Sequence, residues 1–417
     1  MSTTSMSLES LRFLLQHMDA NRRFEVYNRC PSLREIEKSV PLKIKSLVLS
    51  ASSVTINDTT YKLGIIRKYN AGETPGYVSE SNESGGLPYQ VDAYGIRDEW
   101  DDLTSPGGAR MGTPRIPNED FYVRFLGDQI QRFEVELVQE QANQNHATAD
   151  RLELRIEVAR AKIADYQSRR DNIPPNFEHF LQLTTSRVVD WHEQKMNIER
   201  YNHNKKYSEA VKQLTTILFG RRSLPPNVKK FELMSWIGVY RLPVGLKFYI
   251  EHLILNGHVR SNLDTVAPIL HESSYPLKKL VVGHLTAYDA NNPIVKTARS
   301  LKIRSSLTNI LQTLSTITNP VVQVNAYLPD ETLEGLIANL IESKRTIDFT
   351  IDFCLEPRFA NEIEDMLKRF NSSPIDDENA IIPMSNEAQL KVSFGPFPEF
   401  APQSRFAVRL LTEAIEH

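Results

Sequence analysis

The sequence is poor in cysteine, with two in 417 residues, at Cys30 and Cys354. Two cysteines cannot build the disulfide framework of a small secreted domain, and we expect both to be small buried residues in a reducing compartment. The sequence also has no run of 18 apolar residues, which predicts no transmembrane helix. No basic stretch followed by an apolar block begins the chain, so no secretory signal is expected. These absences favour a cytoplasmic or nuclear protein without membrane contact.

Neither sign of charge dominates, because 49 basic and 52 acidic residues leave a formal net charge of −3. That balance excludes a strongly basic polyanion-binding protein but is compatible with a local basic patch. The Gly-rich phosphate loops and the G-x-S-x-G nucleophile elbow are missing, and His192 and Glu193 lack the second histidine of a zinc protease. We therefore predict no catalytic residue, no metal site and no cofactor. An enzyme whose site is assembled from distant residues is the alternative.

After residues 42–70, which we expect to form a first strand and a hairpin, glycine and acidic residues concentrate in residues 71–118. Residues 71–120 hold 8 of the 17 glycines, with 10 acidic and 3 basic residues. Glycine interrupts regular structure and acidic side chains favour solvent, so an acidic Gly/Pro-rich loop, partly disordered, is predicted. Its cluster of Asp98, Glu99, Asp101 and Asp102 lacks calcium-loop spacing and is expected to be solvated.

Residues 119–172 have apolar spacing typical of a coiled coil. Apolar residues recur from Leu126 to Leu137 and again from Leu152 to Tyr166. The polar residues between them fit either the turn of a helical hairpin or a stutter in one long helix. The segment is therefore a projecting arm, a dimer seam, or an inserted helical arm packed on its own protein, which we favour. Residues 176–224 are predicted to be a mixed connecting segment.

A short apolar phrase recurs through residues 225–417, alternating with helical patterns. Five of its six intervals lie between 20 and 29 residues, the range of leucine-rich repeats. The first apolar residues of the phrases are Phe231, Leu253, Leu280, Leu301, Val322, Phe349 and Leu390. The pattern predicts short strands stacked into a concave parallel sheet, with helices outside, the last at 405–417. An ordinary α/β domain is the alternative.

The N-terminal residues 6–41 contain an apolar helix face, a polar step and then Cys30. This pattern resembles the F-box, a three-helix module that docks on the Skp-type adaptor of cullin-RING ubiquitin ligases. Met6-Ser7-Leu8-Glu9 stands in place of the family's Leu-Pro-x-Glu, and no Trp follows Cys30. The resemblance implies an adaptor-binding set made of Met6, Leu8, Leu11, Leu14, Leu15, Met18, Phe24, Cys30 and Leu33.

A second resemblance, from Leu8 to about Leu233, is to a nematode-expanded family with an uncharacterised domain. It is carried by RCPSLR at 29–34, VPLKI at 40–44, INDTTYKLG at 56–64, GG at 85–86, DAYG at 92–95, TSPG at 104–107 and LTTILFGRRS at 214–223. The activity of that family is unassigned. The resemblance therefore implies an F-box-like start and a repeat-like continuation, and no particular chemistry.

Taken together, these features predict an α/β fold, a leucine-rich-repeat-like β-α solenoid with an N-terminal F-box-like helical module and an inserted helical arm. The expected function is a non-enzymatic interaction adaptor, a substrate receptor that joins a Skp-type adaptor and cullin complex to an unknown protein substrate. One alternative is a repeat scaffold without adaptor binding. Another alternative is a protein that binds an acidic partner, or less favourably nucleic acid, through a row of basic residues. We call this row the basic ladder, and it consists of Lys229, Lys230, Lys278, Lys279, Lys302 and Arg304. These cations would otherwise be a solvated strand edge.

Overall fold

The computed structural model describes most of the chain. The described residues are 6–50, 52–98, 108–111, 118–190, 192–234, 238–257, 259–304, 310–327, 330–342, 349–354, 363–376, 378–384, 388–396 and 406–415. They form two compact units. The first comprises Met1–Val48, Arg222–Trp236 and Lys247–His417, and the second comprises Leu49–Arg221 and Ile237–Leu246.

The helices and strands are numbered here in chain order. The helices are α1 (Leu8–His17), α2 (Ala20–Arg29), α3 (Arg34–Ser39), α4 (Gly76–Glu83), α5 (Glu119–Ala142), α6 (His146–Arg170), α7 (Tyr207–Phe219), α8 (Val259–Val266), α9 (Ala287–Ala290), α10 (Pro293–Thr297), α11 (Ile310–Thr316), α12 (Asp330–Glu342) and α13 (Ile363–Lys368). The strands are β1 (Lys43–Leu49), β2 (Ser53–Ile56), β3 (Thr59–Tyr69), β4 (Gly108–Met111), β5 (Phe177–Val189), β6 (His192–Asn202), β7 (Asn227–Leu233), β8 (Gly238–Arg241), β9 (Tyr249–Leu255), β10 (Lys279–Val282), β11 (Ser300–Ile303), β12 (Val321–Tyr327), β13 (Thr350–Cys354), β14 (Ser373–Asp376), β15 (Asn379–Pro383), β16 (Ala388–Pro396) and β17 (Phe406–Ala414). Among the helices described, none has the length and apolar character needed to cross a membrane.

The first unit contains a mixed sheet whose strands run in the order β14-β15-β16-β17-β13-β12-β11-β10-β9-β7-β1. Strands β7, β9, β10, β11, β12 and β13 pair in parallel. Phe231, Leu253, Leu280, Leu301 and Val322 are register partners across neighbouring strands and are fully buried. Because side chains alternate between the two faces of a strand, this row defines the core face of the sheet.

The predicted fold, a leucine-rich-repeat-like β-α solenoid with an F-box-like module and an inserted arm, is wrong. A solenoid adds parallel units, but here β13 pairs antiparallel with β17, which pairs antiparallel with β16, and β15 and β14 follow antiparallel. Leu390, placed in the last repeat phrase, therefore lies in an antiparallel strand opposite Thr412. Antiparallel neighbours are joined by direct turns and need no helical crossover, so the repeat period ends there.

The helix predicted over residues 405–417 is likewise wrong, because Phe406–Ala414 forms β17. Its burial alternates, with Val408, Leu410 and Thr412 buried. This strand is hydrogen-bonded to β13 on one side and to β16 on the other. Pairing with two distant strands satisfies its backbone and outweighs the helical spacing of its apolar residues.

In the second unit the strands run in the order β2-β3-β5-β6, and each is antiparallel to its neighbour. Strand β4 pairs antiparallel with β8 in a separate sheet. The expected hairpin turn is confirmed, since Ile56 pairs with Thr59 across Asn57, whose φ is 57°. Asparagine tolerates this left-handed conformation, which two-residue hairpin turns require. Within the mixed connecting segment, Tyr207–Phe219 forms α7, with Gly220 as its C-cap.

Residues 119–172 contain two helices, α5 and α6, joined by a short turn at Asn143–Asn145 rather than one continuous helix. They pack through Leu126, Leu152 and Ile156, which are buried. Arginine–carboxylate pairs cross between them, including Arg160 with Glu134 at 2.6 Å and Arg170 with Asp120 at 3.1 Å.

The acidic segment is more ordered than predicted over residues 71–98. It contains α4, and Asn82 exchanges hydrogen bonds with the backbone of Arg67 at 2.7 and 3.1 Å. The carboxylate of Asp92 accepts hydrogen bonds from the backbone of Tyr94 and Ile96, which closes a tight turn. Of the acidic cluster, Asp98 is described, whereas 99, 101 and 102 lie outside the described residues.

Candidate interaction surfaces

Helix α1 and the residues just before it expose a group of large apolar side chains to solvent. Phe13 is 67% exposed, Met6 59%, Leu8 49% and Leu14 44%. The helix begins at Leu8 because the hydroxyl of Ser7 accepts a hydrogen bond from the backbone of Ser10. Apolar side chains left exposed together on one helix mark a protein-interaction surface more strongly than the same residues scattered singly.

The structure separates the predicted adaptor-binding residues into three levels of exposure. Met6, Leu8 and Leu14 are exposed, whereas Leu15 and Phe24 are buried. The others are half-buried, namely Leu11, Met18, Cys30 and Leu33. The buried and half-buried side chains therefore support the helices, and the exposed ones are available to a partner.

Phe13 is the most exposed apolar residue of α1, and it is not in the adaptor-binding set predicted from the sequence. It lies off the inner stripe that Leu11, Leu15 and Met18 form at helical spacing. An apolar residue off the buried stripe of an amphipathic helix is the signal that would have identified it. We call Met6, Leu8, Phe13 and Leu14 the α1 apolar face.

A buried ion network joins α2, α3 and Arg222, which lies between α7 and β7. The Nε of Arg23 donates to Oε1 of Glu37 at 2.9 Å, and its two terminal nitrogens donate to the backbone oxygens of Glu37, Val40 and Pro41 at 2.6–2.8 Å. Arg222 donates to both oxygens of the same carboxylate at 3.0 and 3.2 Å. Desolvation lowers the pKa of both arginines, and the charge of Glu37 opposes that effect.

A row of basic side chains crosses three neighbouring strands of the first unit, on the face opposite the buried row. Lys230 of β7 and Lys279 of β10 are both register partners of His252 on β9. Desolvation lowers the pKa of His252, and the positive charges of Lys279, Lys229 and Lys278 lower it further, against Glu251. The imidazole of His252 therefore lies near several lysine side chains and one carboxylate, that of Glu251.

Of the other basic-ladder residues, Lys278 directly precedes β10, Lys302 lies in β11 and Arg304 directly follows β11. Lys278 pairs with Glu251 at 2.9 Å, and Lys230 pairs with Glu232 at 3.3 Å. Lys302 is the register partner of Val281 and so lies two residues further along the strands. Arg304 donates to the side chain of Asn256 at 3.1 Å. The structure thus brings Lys229, Lys230, Lys278 and Lys279 together around His252, and we call these four lysines with His252 the basic row.

Metal-ligand chemistry has no support in the part of the chain that the structure describes, where no group of three His, Cys, Asp or Glu side chains is arranged to hold an ion. His179 and His203 approach each other, with ring centroids 6.2 Å apart. Burial lowers the pKa of both. This pair is a half-buried edge-to-face contact, and two imidazoles would supply at most two metal ligands.

Comparison with known proteins finds one family model, a domain of unknown function (DUF3557), which matches residues 206–356. The match covers α7 and the parallel strands from β7 to β13. It overlaps the expected resemblance, which ran from Leu8 to about Leu233, only over residues 206–233. No curated protein and no solved structure matches the chain.

Proposed function

We propose that this protein is a non-enzymatic interaction adaptor that binds a Skp-type adaptor through the α1 apolar face and presents a protein substrate to a cullin-RING ubiquitin ligase in the cytoplasm or nucleus. The observation that carries the proposal is the exposure of Met6, Leu8, Phe13 and Leu14, which lie on α1 or just before it. The F-box resemblance of residues 6–41 supports the choice of partner.

The energetics of the α1 apolar face favour a protein partner. Fully burying a Leu, Met or Phe side chain contributes about 1.5–3 kcal/mol, so four of them supply a substantial part of a protein–protein affinity. Large apolar anchors of this kind dominate interface energies when a partner desolvates them. The Arg23–Glu37–Arg222 network joins α2 and α3 within the same predicted three-helix segment.

The test is a pull-down of purified Skp-type adaptor by the full chain, compared with Phe13→Asp combined with Leu14→Asp. Both side chains are exposed, so the double variant is expected to fold normally and to lose adaptor binding because two charges would be buried at the interface. Leu15 is unsuitable for this test because it is fully buried and its replacement would unfold the helices.

The matched control is Val135→Asp combined with Val138→Asp, which changes two side chains on α5 that are 62% and 67% exposed. This variant is expected to retain the adaptor. An empty pull-down with the unmodified chain, or equal retention by the α1 double variant, contradicts the proposal.

The basic row is the surface proposed to take an acidic segment of the target protein. Its four lysines face two carboxylates, Glu232 and Glu251, so cations are in excess. A fluorescent poly-glutamate peptide is expected to bind the full chain, with affinity that falls as salt rises. Lys230→Glu with Lys279→Glu is expected to remove this binding.

The control for this surface is Lys368→Glu with Arg369→Glu, two exposed cations on and just after α13. It makes the same change of charge elsewhere and is expected to leave peptide binding intact. Tighter binding of an RNA oligonucleotide than of the peptide would favour the nucleic-acid alternative, and equal loss in both variants would contradict a local site.

A further inference from the structure

The second unit contains a cavity of about 360 Å³ lined by four elements. Strand β3 supplies Arg67, helix α4 supplies Tyr77, and α5 and α6 supply Tyr122 and Tyr166. A turn that contains Gly95 contributes a further part of the wall. The volume lies within the range of small-molecule sites, which are concave and mostly apolar with a few converging polar groups.

Four tyrosine rings give the cavity flat apolar walls. Tyr122 and Tyr166 meet edge to face with ring centroids 5.9 Å apart. The guanidinium of Arg97 lies 4.8 Å from the ring centroid of Tyr89. Aromatic rings and planar cations arranged in this way favour a planar ligand, because a rigid flat ligand stacks on them with little loss of its conformational entropy.

The charges around the cavity favour an anion. Among the described residues that line it, Arg67, Arg97 and Lys162 are cationic and Asp165 is anionic. Asp165 accepts a hydrogen bond from Arg67 at 3.1 Å and thereby offsets one of the three cations. The lining therefore has a net charge of +2 from three cations and one carboxylate.

Arg67 is built into the wall and still has hydrogen-bonding capacity. Its side chain is 10% exposed and donates to Asp165 and to the backbone oxygen of Gly95 at 2.9 Å. Its Nε is buried and has no hydrogen-bond partner in the described part of the chain. Gly95 is required for this contact, because a Cβ there would lie 1.9 Å from a guanidinium nitrogen and the φ is +78°.

The tyrosine hydroxyls add hydrogen-bond donors to the cavity wall. Burial raises the pKa of Tyr77 to about 12 and also raises that of Tyr89. Both hydroxyls are therefore protonated at neutral pH. A protonated phenol donates a hydrogen bond to an anion without adding negative charge.

We propose that this cavity is a binding site for a small planar aromatic anion, whose ring stacks among Tyr77, Tyr89, Tyr122 and Tyr166 and whose anionic group meets Arg67, Arg97 and Lys162. The site lies within the second unit and is separate from the α1 apolar face and the basic row, so it stands independently of the proposed adaptor function.

The test measures binding of naphthalene-2-carboxylate to the full chain by isothermal titration calorimetry, beside its uncharged isostere naphthalene-2-carboxamide. The two probes have the same shape, so their difference reports the charge. The carboxylate is expected to bind at least about tenfold more tightly than the amide. Arg97→Gln and Lys162→Gln are each expected to weaken the carboxylate by about tenfold and leave the amide unchanged.

Ser81→Phe fills the cavity from α4 and is expected to abolish binding of both probes while the circular dichroism spectrum is retained. The matched control is Arg132→Gln, which removes an exposed cation from α5 and is expected to change neither affinity. Equal affinity for the two probes, absence of carboxylate binding, or undiminished binding in folded Ser81→Phe overturns the proposal.

Discussion

Glu37 joins two of the N-terminal helices and Arg222 through a buried ion network. Its side chain is fully buried between Arg23 and Arg222, and it accepts hydrogen bonds from both guanidinium groups. A buried charge of this kind is tolerated only with its counter-charge, because the desolvation of an ion costs several kcal/mol. The carboxylate therefore keeps two arginines inside the protein.

Glu37→Gln is expected to lower the free energy of unfolding by about 3–5 kcal/mol, since the size of the side chain is preserved but two guanidinium groups lose their counter-charge. Urea denaturation measures the change. Glu25→Gln is the matched control, because Glu25 pairs with Arg22 at an exposed position and should cost less than about 1 kcal/mol. Similar costs for the two variants would show that burial adds nothing to the Glu37 network.

His179 makes stability depend on pH. Burial, followed by the positive charges of Arg67 and His203, lowers the pKa of its imidazole to about 4. The unfolded chain binds a proton at this histidine below its ordinary pKa of about 6.5, whereas the folded chain does not until about pH 4. The contribution of His179 is thus fully present above pH 6.5 and is lost as the pH falls towards 4.

His179→Phe is expected to reduce the loss of stability between pH 7.5 and pH 5, because the variant has no imidazole to protonate. The measurement is the midpoint of urea denaturation at both pH values, in the variant and in the unmodified chain. The carboxylates titrate in both proteins, so the difference isolates the histidine. A variant that loses as much stability on acidification as the unmodified chain contradicts this account.

At the scale of the element, helix α6 shows how position on a helix decides the energetic role of a leucine. Leu152 faces α5 and is 2% exposed, whereas Leu154, two residues further along, is 40% exposed. Leu152→Ala is expected to cost about 2–5 kcal/mol of unfolding free energy because it leaves a cavity between the helices. Leu154→Ala on the same helix is the control.

Chemical denaturation monitored by circular dichroism compares the two alanine variants. The exposed position is expected to change stability by about 0.5 kcal/mol or less. Equal destabilisation at both positions would mean that α6 does not pack through the face described.

Some elements follow from their local sequence and others do not. Helix α7 ends at Gly220 and the hairpin turn forms at Asn57, because capping and left-handed turns are decided by a few adjacent residues. Strand β17 has apolar residues at Phe406, Leu410 and Ala414, which matches a helix. It is a strand because β13 and β16 pair with it, and the register partners Thr350 and Leu411 lie 61 positions apart in the chain.

At the scale of the whole molecule, local stability is expected to follow the depth of each strand within its unit. Strands β9, β10 and β11 are paired on both sides and contain fully buried Leu253, Leu280 and Leu301. Strand β6 ends the order of the second unit, and its side chains are exposed along its whole length. Backbone amides between two paired strands open only when a large part of the unit unfolds.

Hydrogen–deuterium exchange read by mass spectrometry is expected to show the slowest exchange in peptides from β9 to β11 and fast exchange in β6. Comparison with β5, which is paired on both sides, serves as the control within the second unit. Protection of β6 equal to that of β5 would contradict this order and would indicate that another chain covers its outer edge.

The sequence by itself determined the period of the parallel strands, the capped helix and the hairpin turn, and it directed attention to α1, because each depends on residues close together in the chain. Only the tertiary structure decided that the last strands return antiparallel, that Phe13 is exposed while Leu15 is buried, and that Lys230, His252 and Lys279 lie side by side. The tyrosine-lined cavity likewise required Arg67 and Asp165 to meet across 98 positions of sequence. The physical reason is that burial, charge pairing and sheet register depend on contacts between residues remote in the chain, which no local pattern contains.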